Sequence, residues 1–310
     1  MIVTVTLNPS LDRTIEIEEL IHGEVIRAAH AWLDPGGKGV NVSRALLANG
    51  VPTRACFPCG GEEGDHLVRL LRAEGVDLLT VPIGGHTRSN VTLVEPDGTV
   101  TKINEPGPVL SLAEFEAVTE QVLAAAVGAD WVVACGSVPP GLPESALPRL
   151  CRRLIEAGVR LAVDTSGPDL REAASAGAAL LKPNRDELAE VVGGPLVSLD
   201  DVVDAARKLL SLGAGAVLAS LGADGAVLVE ADGVIAGDSP VSNPKSSVGA
   251  GDALLAGFLA AGAHGSGALR EALAWGAAAV SLPGSRMPRP TDLRPHAVRI
   301  HQPDLRLNPR

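Results

Sequence analysis

Apolar residues along the chain follow two alternating spacings, and this alternation predicts the order of strands and helices. Short β-rich runs predict strands over residues 2–7, 54–57, 131–134, 160–163, 179–181, 216–219 and 226–229. Helical apolar spacing between those runs predicts helices over residues 40–49, 65–74, 112–126, 144–157, 185–192 and 199–212. Such alternation indicates a layered α/β domain with a mostly parallel sheet, which binds ligands beyond the carboxyl ends of its strands.

Two segments interrupt this order, because residues 13–33 and 88–105 alternate apolar and polar side chains and lack helical spacing. In the second segment, VTLVEPDGTVTKIN predicts a hairpin that turns at residues 96–98. Together the segments predict a small antiparallel sheet that stands off the main domain. A sheet of a few strands cannot bury an apolar face by itself, so we expect it to cover a ligand cleft, another subunit, or both.

Composition and charge narrow the range of partners. The chain has 310 residues, 46% of them apolar, and its net charge of −11 comes without a run of Lys or Arg. Nucleic acid is therefore not an expected partner, since binding a phosphate backbone requires clustered positive charge. Cys56 and Cys59 form a C-x-x-C without a second pair, which favours buried reduced thiols over a metal site. The first residues do not resemble a signal peptide and no apolar stretch reaches membrane-spanning length, so a cytoplasmic protein without membrane contact is expected.

The stretch SSVGAGDALLAGF places Asp252 directly after a Gly-Ala-Gly turn and directly before an apolar run of helical spacing. Glycines let a ligand approach the main chain, and the N–H groups at a helix N-terminus favour an anion. Two interpretations of Asp252 remain open at this point. It is either an ordinary acid that complements the helix N-terminus or a carboxylate that acts on a ligand held at the turn.

The stretch DPGGKGVNVSRALLANG places Lys38 between two glycines just before a predicted helix. It is not a Walker A loop, since Gly39 follows the lysine where Ser or Thr is required. The turn before Asp252 likewise lacks the third glycine of the dinucleotide fingerprint, because Leu254 stands there. The lysine stretch either holds hydroxyls or phosphate, or is a helix-entry turn with a solvated lysine.

Polar residues near the predicted strand ends also have two interpretations each. Asp12, in TLNPSLD, follows the first strand and a turn, and it either accepts sugar hydroxyls or stabilises the turn. Arg88 and Asn90 lie two residues apart at the mouth of the hairpin, where they share one face of a strand. They either grip one anion or form a solvated edge pair.

KPNRDEL follows another predicted strand. Asn184 and Glu187 have the spacing of a helix capping box, and their oxygens are also suited to a hydrated Mg²⁺, with Lys182 on phosphate. SLGADGA, residues 220–226, is a strand end followed by a glycine-rich turn and is a weak sign by itself.

Taken together, these stretches resemble the PfkB, or ribokinase-like, family of sugar kinases, in order and over nearly the whole chain. GGKGVNVSRAL is similar to the N-terminal signature of the family and SVGAGDALLAGF to its C-terminal signature. TLNPSLD, TRSN, TKINEPGP, CGSVPPG and KPNRDEL are similar to the branch that phosphorylates sugar phosphates. The resemblance implies a three-layer α/β/α domain with a mostly parallel central sheet and a small β-sheet lid.

The resemblance also implies an activity, an ATP-dependent transfer of the γ-phosphoryl group to a hydroxyl of a ketohexose phosphate. Fructose 1-phosphate is the expected substrate, with fructose 6-phosphate and tagatose 6-phosphate as alternatives. A non-catalytic sensor of sugar phosphates or nucleotides is the alternative of another class. Mg²⁺ is the implied cofactor. Ser246 and Ser247 stand where the ribokinase signature has Asp-Thr, which leaves open whether a monovalent cation binds there.

Each residue that matches the family pattern takes an implied role. In the transfer step Asp252 is the general base, and an anion hole is formed by the N–H groups of Gly249, Ala250 and Gly251. The residues implied for the sugar are Asp12, Gly37, Lys38 and Asn41, and those implied for its phosphate are Arg88, Ser137, Lys38 and Asn90. The residues implied for the nucleotide are Lys182, Asn184, Ser220, Gly222 and Gly225, and those implied for Mg²⁺, through water, are Asn184 and Glu187.

The implied domain division assigns residues 1–12, 34–87 and 106–310 to the α/β domain and residues 13–33 and 88–105 to the lid. The lid is also expected to join two copies of the chain, because its alternation places apolar residues on one face. These residues are Ile15, Ile17, Val91 and Leu93. In such a dimer Arg27 is expected to reach toward the substrate site of the partner.

Overall fold

Two sheets and nine helices make up residues 1–301, which are the residues that the computed structural model describes. The strands in chain order are β1 (Ile2–Thr6), β2 (Ser10–Glu16), β3 (His30–Gly36), β4 (Thr53–Cys59), β5 (Asp77–Pro82), β6 (Arg88–Val94), β7 (Val100–Ile103), β8 (Trp131–Cys135), β9 (Leu161–Asp164), β10 (Leu180–Leu181), β11 (Val217–Ser220), β12 (Ala226–Glu230), β13 (Gly233–Asp238) and β14 (Arg299–His301). The helices are α1 (Lys38–Ala48), α2 (Gly61–Glu74), α3 (Leu112–Ala126), α4 (Ala146–Glu156), α5 (Pro168–Ser175), α6 (Arg185–Val192), α7 (Leu199–Leu212), α8 (Ala250–Ala260) and α9 (Gly265–Val280).

The large sheet has the strand order β14-β13-β12-β11-β10-β9-β8-β1-β4-β5. All neighbours from β11 to β5 pair in parallel, and only the edge formed by β12, β13 and β14 is antiparallel. The predicted mostly parallel sheet is therefore confirmed. The carboxyl ends of its parallel strands lie along one edge, and this edge positions the candidate site described below.

Helices cover both faces of the large sheet, as expected for three layers. On β1, Val3 and Val5 face one core with Phe115 of α3 and Leu150 of α4, whereas Ile2 faces the other. The second core is built around α1, α8 and α9. This arrangement follows from the strand period of two, because successive side chains of a strand buried on both faces enter different cores.

Five elements have no counterpart in the sequence prediction, namely β5, β13, β14, α5 and α9. The longest of them, α9, is rich in alanine and glycine, so its buried face has little hydrophobic contrast with the rest of the helix. Small residues are needed on both sides of the contact between α8 and α9, because the two helices pack closely. A Cβ on Gly257 would lie 2.7 Å from the Trp275 ring.

The small sheet consists of β3, β2, β6 and β7 in that order. The hairpin of β6 and β7 is confirmed, with Glu95 N–H donating to the carbonyl of Thr99. The prediction of an antiparallel sheet is wrong at one ladder, because β2 and β6 pair in parallel from Ser10–Arg88 to Glu16–Val94. Both strands leave the main domain in the same direction, which sequence alternation does not reveal.

The register places Ile15, Val91 and Leu93 on one face of the small sheet, as predicted, whereas Ile17 follows the end of β2 and is buried. Ile15 pairs with Leu93, and Val91 lies opposite Ile103 on the same face. Ile103 is 57% exposed. The strands extend three residues beyond the predicted borders of segment 13–33, since β2 begins at Ser10 and β3 ends at Gly36.

Three of the cysteines, Cys56, Cys135 and Cys151, are buried as the sequence predicts, whereas Cys59 is half-buried. All four cysteines are free thiols, and burial raises the pKa of Cys56 to about 12. Between residues 1 and 301, no three or more His, Cys, Asp or Glu side chains are grouped to hold a metal ion. None of the helices in that range combines the length and the apolar character needed to cross a membrane.

The turn between β11 and β12 depends on Gly225. Its φ of +91° is favourable only for glycine. Within the turn, its N–H donates to the Gly222 carbonyl and its carbonyl accepts from the Leu221 N–H. A Cβ at this position would overlap the carbonyl oxygen of Gly237 on the adjacent β13. Gly222, in the same turn, also has a positive φ, of +63°, but a Cβ there meets no atom within 4 Å.

We expect Gly225→Ala to lower the free energy of unfolding by about 3 kcal/mol or more, because backbone strain and overpacking add. Gly222→Ala is the matched control and should cost only about 1–2 kcal/mol, since it meets strain alone. Urea denaturation of both variants measures the difference. Equal losses would contradict the packing argument.

Candidate active site

Asp252 lies in the first turn of α8 and is 7% exposed. The helix begins after Gly249, whose φ of +76° places it in the left-handed region. The side-chain amide of Asn41, on α1, donates a 2.9 Å hydrogen bond to the Asp252 carboxylate. Two glycine-flanked helix starts, those of α1 and α8, therefore meet at this carboxylate.

The helix N-terminus beside Asp252 offers N–H groups to an anion. The Ala250 N–H donates only a long hydrogen bond, of 3.4 Å, to the Ser247 carbonyl. In the part of the chain that is described, the N–H groups of Gly249 and Gly251 donate to no acceptor. A Cβ on Gly251 would come 3.4 Å from Nζ of Lys182. An ammonium group thus stands next to a turn that also favours negative charge.

Burial, and then the nearby Asp164 carboxylate, raises the pKa of Asp252 to about 6. The hydrogen bond from Asn41 and the charges of Lys182 and Lys38 act in the opposite direction. A carboxylate with a pKa near neutrality is suited to accept a proton and release it again. Asp252 therefore differs from an exposed helix-capping acid, because it is buried and its pKa is raised.

Asp164 is a site residue that the sequence prediction missed. It is fully buried at the end of β9, where Lys38 Nζ lies 2.7 Å from one carboxylate oxygen and Lys182 Nζ lies 3.0 Å from the other. Although burial alone would raise the pKa of Asp164, the two ammonium groups hold it below its usual value. A signal existed, because Asp164 directly follows the strand predicted over residues 160–163.

Lys38 and Lys182 are brought together by that shared carboxylate. Lys38 also contacts Glu187 at 3.1 Å. Burial acts to lower the pKa of Lys38, but Asp164 and Glu187 outweigh it, and the pKa is raised. Both lysines are thereby held in place, and Lys38 keeps its charge at the carboxyl edge of the sheet.

Asn184 and Glu187 form the capping box of α6. The Asn184 side chain accepts from the Glu187 N–H at 2.8 Å, and the Glu187 carboxylate accepts from the Asn184 N–H at 2.8 Å. The structural interpretation of this pair is therefore correct. Carbonyl and carboxylate oxygens have further lone pairs, so the donor set fits a hydrated Mg²⁺ held through water rather than a directly ligated ion.

Asp12 follows the first strand and a short connection, as the sequence predicts. It lies within β2 of the small sheet, although the predicted division put residues 1–12 in the α/β domain, because the chain re-enters extended structure at Ser10. One carboxylate oxygen accepts from Ser10 Oγ at 2.7 Å and from Asn90 Nδ2 at 2.9 Å. The bare Cα of Gly36 faces the carboxylate, and a Cβ there would overlap it.

Arg88 is anchored by the main chain rather than by Asn90. Its guanidinium donates to the carbonyls of Glu105 at 2.9 Å and Asn8 at 3.0 Å. Burial lowers its pKa, so the group has lost part of its hydration. The buried Nε of Arg88 and the buried Oδ1 atoms of Asn8 and Asn90 have no hydrogen-bond partner within residues 1–301.

Asn8 is a residue of this region that the sequence prediction missed. It contacts Ser137, which was predicted. Its amide donates to Ser137 Oγ at 3.2 Å and to the Pro106 carbonyl at 3.0 Å. Gly37, with a φ of +114°, completes this side of the site at the entry of α1, where a Cβ would lie 2.8 Å from Thr6 Cγ2. Several buried polar atoms that can still form hydrogen bonds thus lie around Asp12 and Arg88.

The predicted nucleotide residues lie farther along the same edge. Ser220 ends β11, and its N–H donates to the Pro183 carbonyl at 3.0 Å beside Asn184. Gly222 faces open space, whereas Gly225 is already explained by its contact with β13. A cavity of about 590 Å³ lies nearby, bounded by residues 239–245 after β13 and by α9, and Ser239, Asn243, Lys245 and Ala278 are among its lining residues.

Comparisons with known proteins agree with this geometry. The model of the pfkB family carbohydrate kinases matches residues 5–292. The 1-phosphofructokinase of Bacillus subtilis is 37% identical over 260 residues, which are 84% of this chain and 85% of the relative. The ATP-dependent 6-phosphofructokinase isozyme 2 of Escherichia coli is 37% identical over 292 residues, which are 92% of this chain and 94% of the relative.

Solved structures give the same result. Phosphofructokinase-2 from Escherichia coli in complex with substrates and products has a TM-score of 0.89 at 36% identity, with 94% of this chain and 96% of that chain covered. Other structures of that protein are described in complex with potassium and as a tetrameric inhibited form. The family expected from the sequence signatures is confirmed. This chain belongs to the pfkB family of carbohydrate kinases and is an enzyme that transfers phosphate to a sugar hydroxyl.

Proposed function

We propose that this enzyme uses ATP to phosphorylate a ketohexose phosphate, with fructose 1-phosphate as the substrate and fructose 1,6-bisphosphate as the product. Relatives named 1-phosphofructokinase and the stretch TKINEPGP support this choice. Fructose 6-phosphate and tagatose 6-phosphate are the alternatives within the same reaction. The observation that carries the proposal is the buried Asp252 carboxylate beside the N-terminus of α8.

In the proposed reaction Asp252 accepts the proton from the attacking sugar hydroxyl. Phosphoryl transfer depends mainly on position and charge, so N–H groups are needed where the equatorial oxygens gather charge. The turn formed by Gly249, Ala250 and Gly251 supplies such groups, and Lys182 lies next to them. A non-catalytic sensor would have no use for a base with a pKa near neutrality, which favours the enzyme over that alternative.

Mg²⁺ would be held through water by Asn184 and Glu187, and when bound it would neutralise charge on the phosphates of the nucleotide. The roles proposed for the other residues of the site do not involve Mg²⁺. Lys38 and Lys182 bind phosphate oxygens as point charges, and their shared partner Asp164 keeps both in position. Potassium dependence of the kinase assay decides whether a monovalent cation also acts here.

The sugar phosphate would lie between the small sheet and the α/β domain. Asp12, Gly37 and Asn41 would bind its hydroxyls, and Arg88, Asn90, Ser137 and Lys38 would bind its phosphate. The buried atoms at Arg88, Asn8 and Asn90 that still lack partners support this assignment, since a bound ligand would supply those partners. In this arrangement the small sheet acts as a lid.

The nucleotide would follow the edge from Lys182 to Ser220 and Gly222. Its base would enter the cavity of about 590 Å³, a volume in the range of small-molecule sites. The free thiols of all four cysteines support a reducing compartment, and we assign the enzyme to the cytoplasm.

We further propose that the lid joins two copies of the chain. Ile15, Leu93, Val91 and Ile103 form an apolar outer face on a sheet that has few strands. A second lid of the same kind would cover this face in a two-fold dimer. Arg27, which is exposed on the connection between β2 and β3, would then reach toward the substrate site of the partner.

We expect Asp252→Asn to fold and to bind ATP while kcat falls by about two to four orders of magnitude, because an amide cannot accept the proton. Steady-state kinetics and ATP titration measure both quantities. A variant that retains more than about half of the kcat of the wild type would refute the assignment of the base.

Two pH profiles provide a second measurement, namely the kcat of the wild type and the stability of Asp252→Asn relative to the wild type. Since the pKa of Asp252 is raised to about 6, wild-type kcat should fall as the pH drops through that value. Ionising this buried group costs stability, so Asp252→Asn should exceed the wild type by about 2–3 kcal/mol at pH 8. The excess should shrink between about pH 6 and pH 4, where the wild-type carboxyl becomes protonated.

A substrate panel tests the choice of sugar. With ATP, we expect kcat/KM to be highest for fructose 1-phosphate, compared with fructose 6-phosphate and tagatose 6-phosphate. Arg88→Ala should raise the KM for the preferred sugar phosphate by an amount equivalent to about 2–4 kcal/mol, because it leaves the phosphate without its guanidinium. The KM for ATP should change little.

Arg207→Ala is the control for this panel, since Arg207 is an exposed arginine paired with Asp204 on α7, on a surface helix outside the site. It should leave both KM values unchanged. The proposal is wrong if Arg88→Ala leaves the KM for the sugar phosphate unchanged while that for ATP rises.

Sedimentation tests the assembly. We expect a species of twice the 31.6 kDa chain mass at micromolar concentration. Ile103→Asp, on the outer face of the lid, should dissociate it, because a carboxylate would be buried without a partner. A 31.6 kDa wild-type species that substrate does not change would exclude the dimer and leave the lid as a cover within one subunit.

A further inference from the structure

We propose that Arg44, in α1, is a positioning residue that fixes the amide of Asn41 so that its NH₂ group faces Asp252. The inference rests on the proposed role of Asp252 as the general base. It assigns a task to a charged residue that the mechanism above does not use. Arg44 reaches the reacting groups only through Asn41.

Arg44 is unusually buried for an arginine, with 5% of its side chain exposed. Its Nε and one terminal nitrogen donate to the two carboxylate oxygens of Glu74 on α2, both at 2.8 Å. This fork geometry holds the guanidinium plane in one orientation. The remaining terminal nitrogen, Nη1, is thereby directed away from Glu74.

Nη1 is the part of Arg44 that faces the site. It donates to Asn41 Oδ1 at 3.3 Å, to the Pro35 carbonyl at 3.3 Å and to the Ser285 carbonyl at 3.1 Å. Asn41 lies one turn before Arg44 on the same helix, so the contact follows from helix geometry. The other end of the Asn41 amide donates to Asp252 at 2.9 Å.

The orientation of the Asn41 amide follows from the chemistry of its neighbours. A guanidinium has donors only, so it must face the amide oxygen, and the NH₂ group is then left for Asp252. With the amide reversed, an NH₂ group would oppose Arg44 and an oxygen would oppose the carboxylate. Both contacts would be repulsive, and Asp252 would lose a donor that favours its ionised form.

Other charged groups also face Asp252, from neighbouring elements. These are Asp164 at the end of β9, Lys182 after β10 and Lys38 at the start of α1. Arg44 does not contact any of the three, so its removal leaves their charges in place. Its effect on the base should therefore be transmitted by Asn41 alone.

The bond to Pro35 adds a link to the lid, because Pro35 belongs to β3 of the small sheet. The same guanidinium thus joins α2, the end of a lid strand and the amide beside the base.

Kinetics of Arg44→Met at several pH values test this inference. We expect kcat to fall roughly 10- to 100-fold, in the range found for misplaced catalytic groups, with the KM for ATP unchanged. The midpoint of the acid limb should move upward by about one pH unit, because Asp252 loses a reliable donor. Arg44→Lys should restore part of kcat and part of the shift in the acid limb, since an ammonium is also a donor without an acceptor.

A double-mutant cycle separates this role from simple destabilisation. Asn41→Leu should shift the acid limb in the same direction, and adding Arg44→Met to it should produce little further shift. Arg54→Met is the matched control. It removes another arginine–carboxylate pair, with Asp77, on β4 and β5, and should leave the acid limb unchanged.

The outcomes distinguish this inference from the function on which it depends. If Asp252→Asn abolishes turnover but Arg44→Met leaves the acid limb in place, the positioning role is wrong and the base assignment stands. Fully additive shifts in the cycle would also refute it. If Asp252→Asn retains its activity, the base assignment itself fails.

Discussion

The arrangement of the site depends on one buried carboxylate that two ammonium groups share. Asp164 sits where the sheet ends, with Lys38 and Lys182 on its two oxygens. A carboxylate without water is costly, and two close cations offset that cost only if they stay in place. The same contact therefore holds Lys38, at the start of α1, and Lys182, which follows β10, at a fixed separation. It also adds negative charge near Asp252, and so helps to set the proton affinity of that residue.

The three helix starts at the site treat their backbone N–H groups in two different ways. At α6 the capping box of Asn184 and Glu187 satisfies the backbone internally. The starts of α1 and α8 have glycine instead of a side-chain cap, so their N–H groups stay available. Asn41 then bonds directly with Asp252, which links one glycine start to the other.

Much of this arrangement could be predicted from the sequence, and the failures have physical reasons. A single stretch of sequence was sufficient to single out Asp252, Lys38 and the capping pair, because in each case the turn, the helix start and the polar side chain are neighbours along the chain. Asp164 and Arg44 depend on partners 126 and 30 residues away, which no local pattern contains. The parallel pairing of β2 with β6 was missed for the same reason, since alternation gives the face of a strand but not its direction. Asp12 was placed with the α/β domain because the new strand begins only two residues before it.

The small sheet is a single layer of four strands, and this has a thermodynamic consequence. One strand, β2, carries Asp12 on one face of the sheet and Ile15 on the other, so a single layer of backbone separates the two faces. Its order then depends on what occupies both sides. Anything that binds on one side lowers the entropy cost of binding on the other, even where no atom moves. Protection of its amide hydrogens against exchange would accordingly report the occupancy of both faces at once.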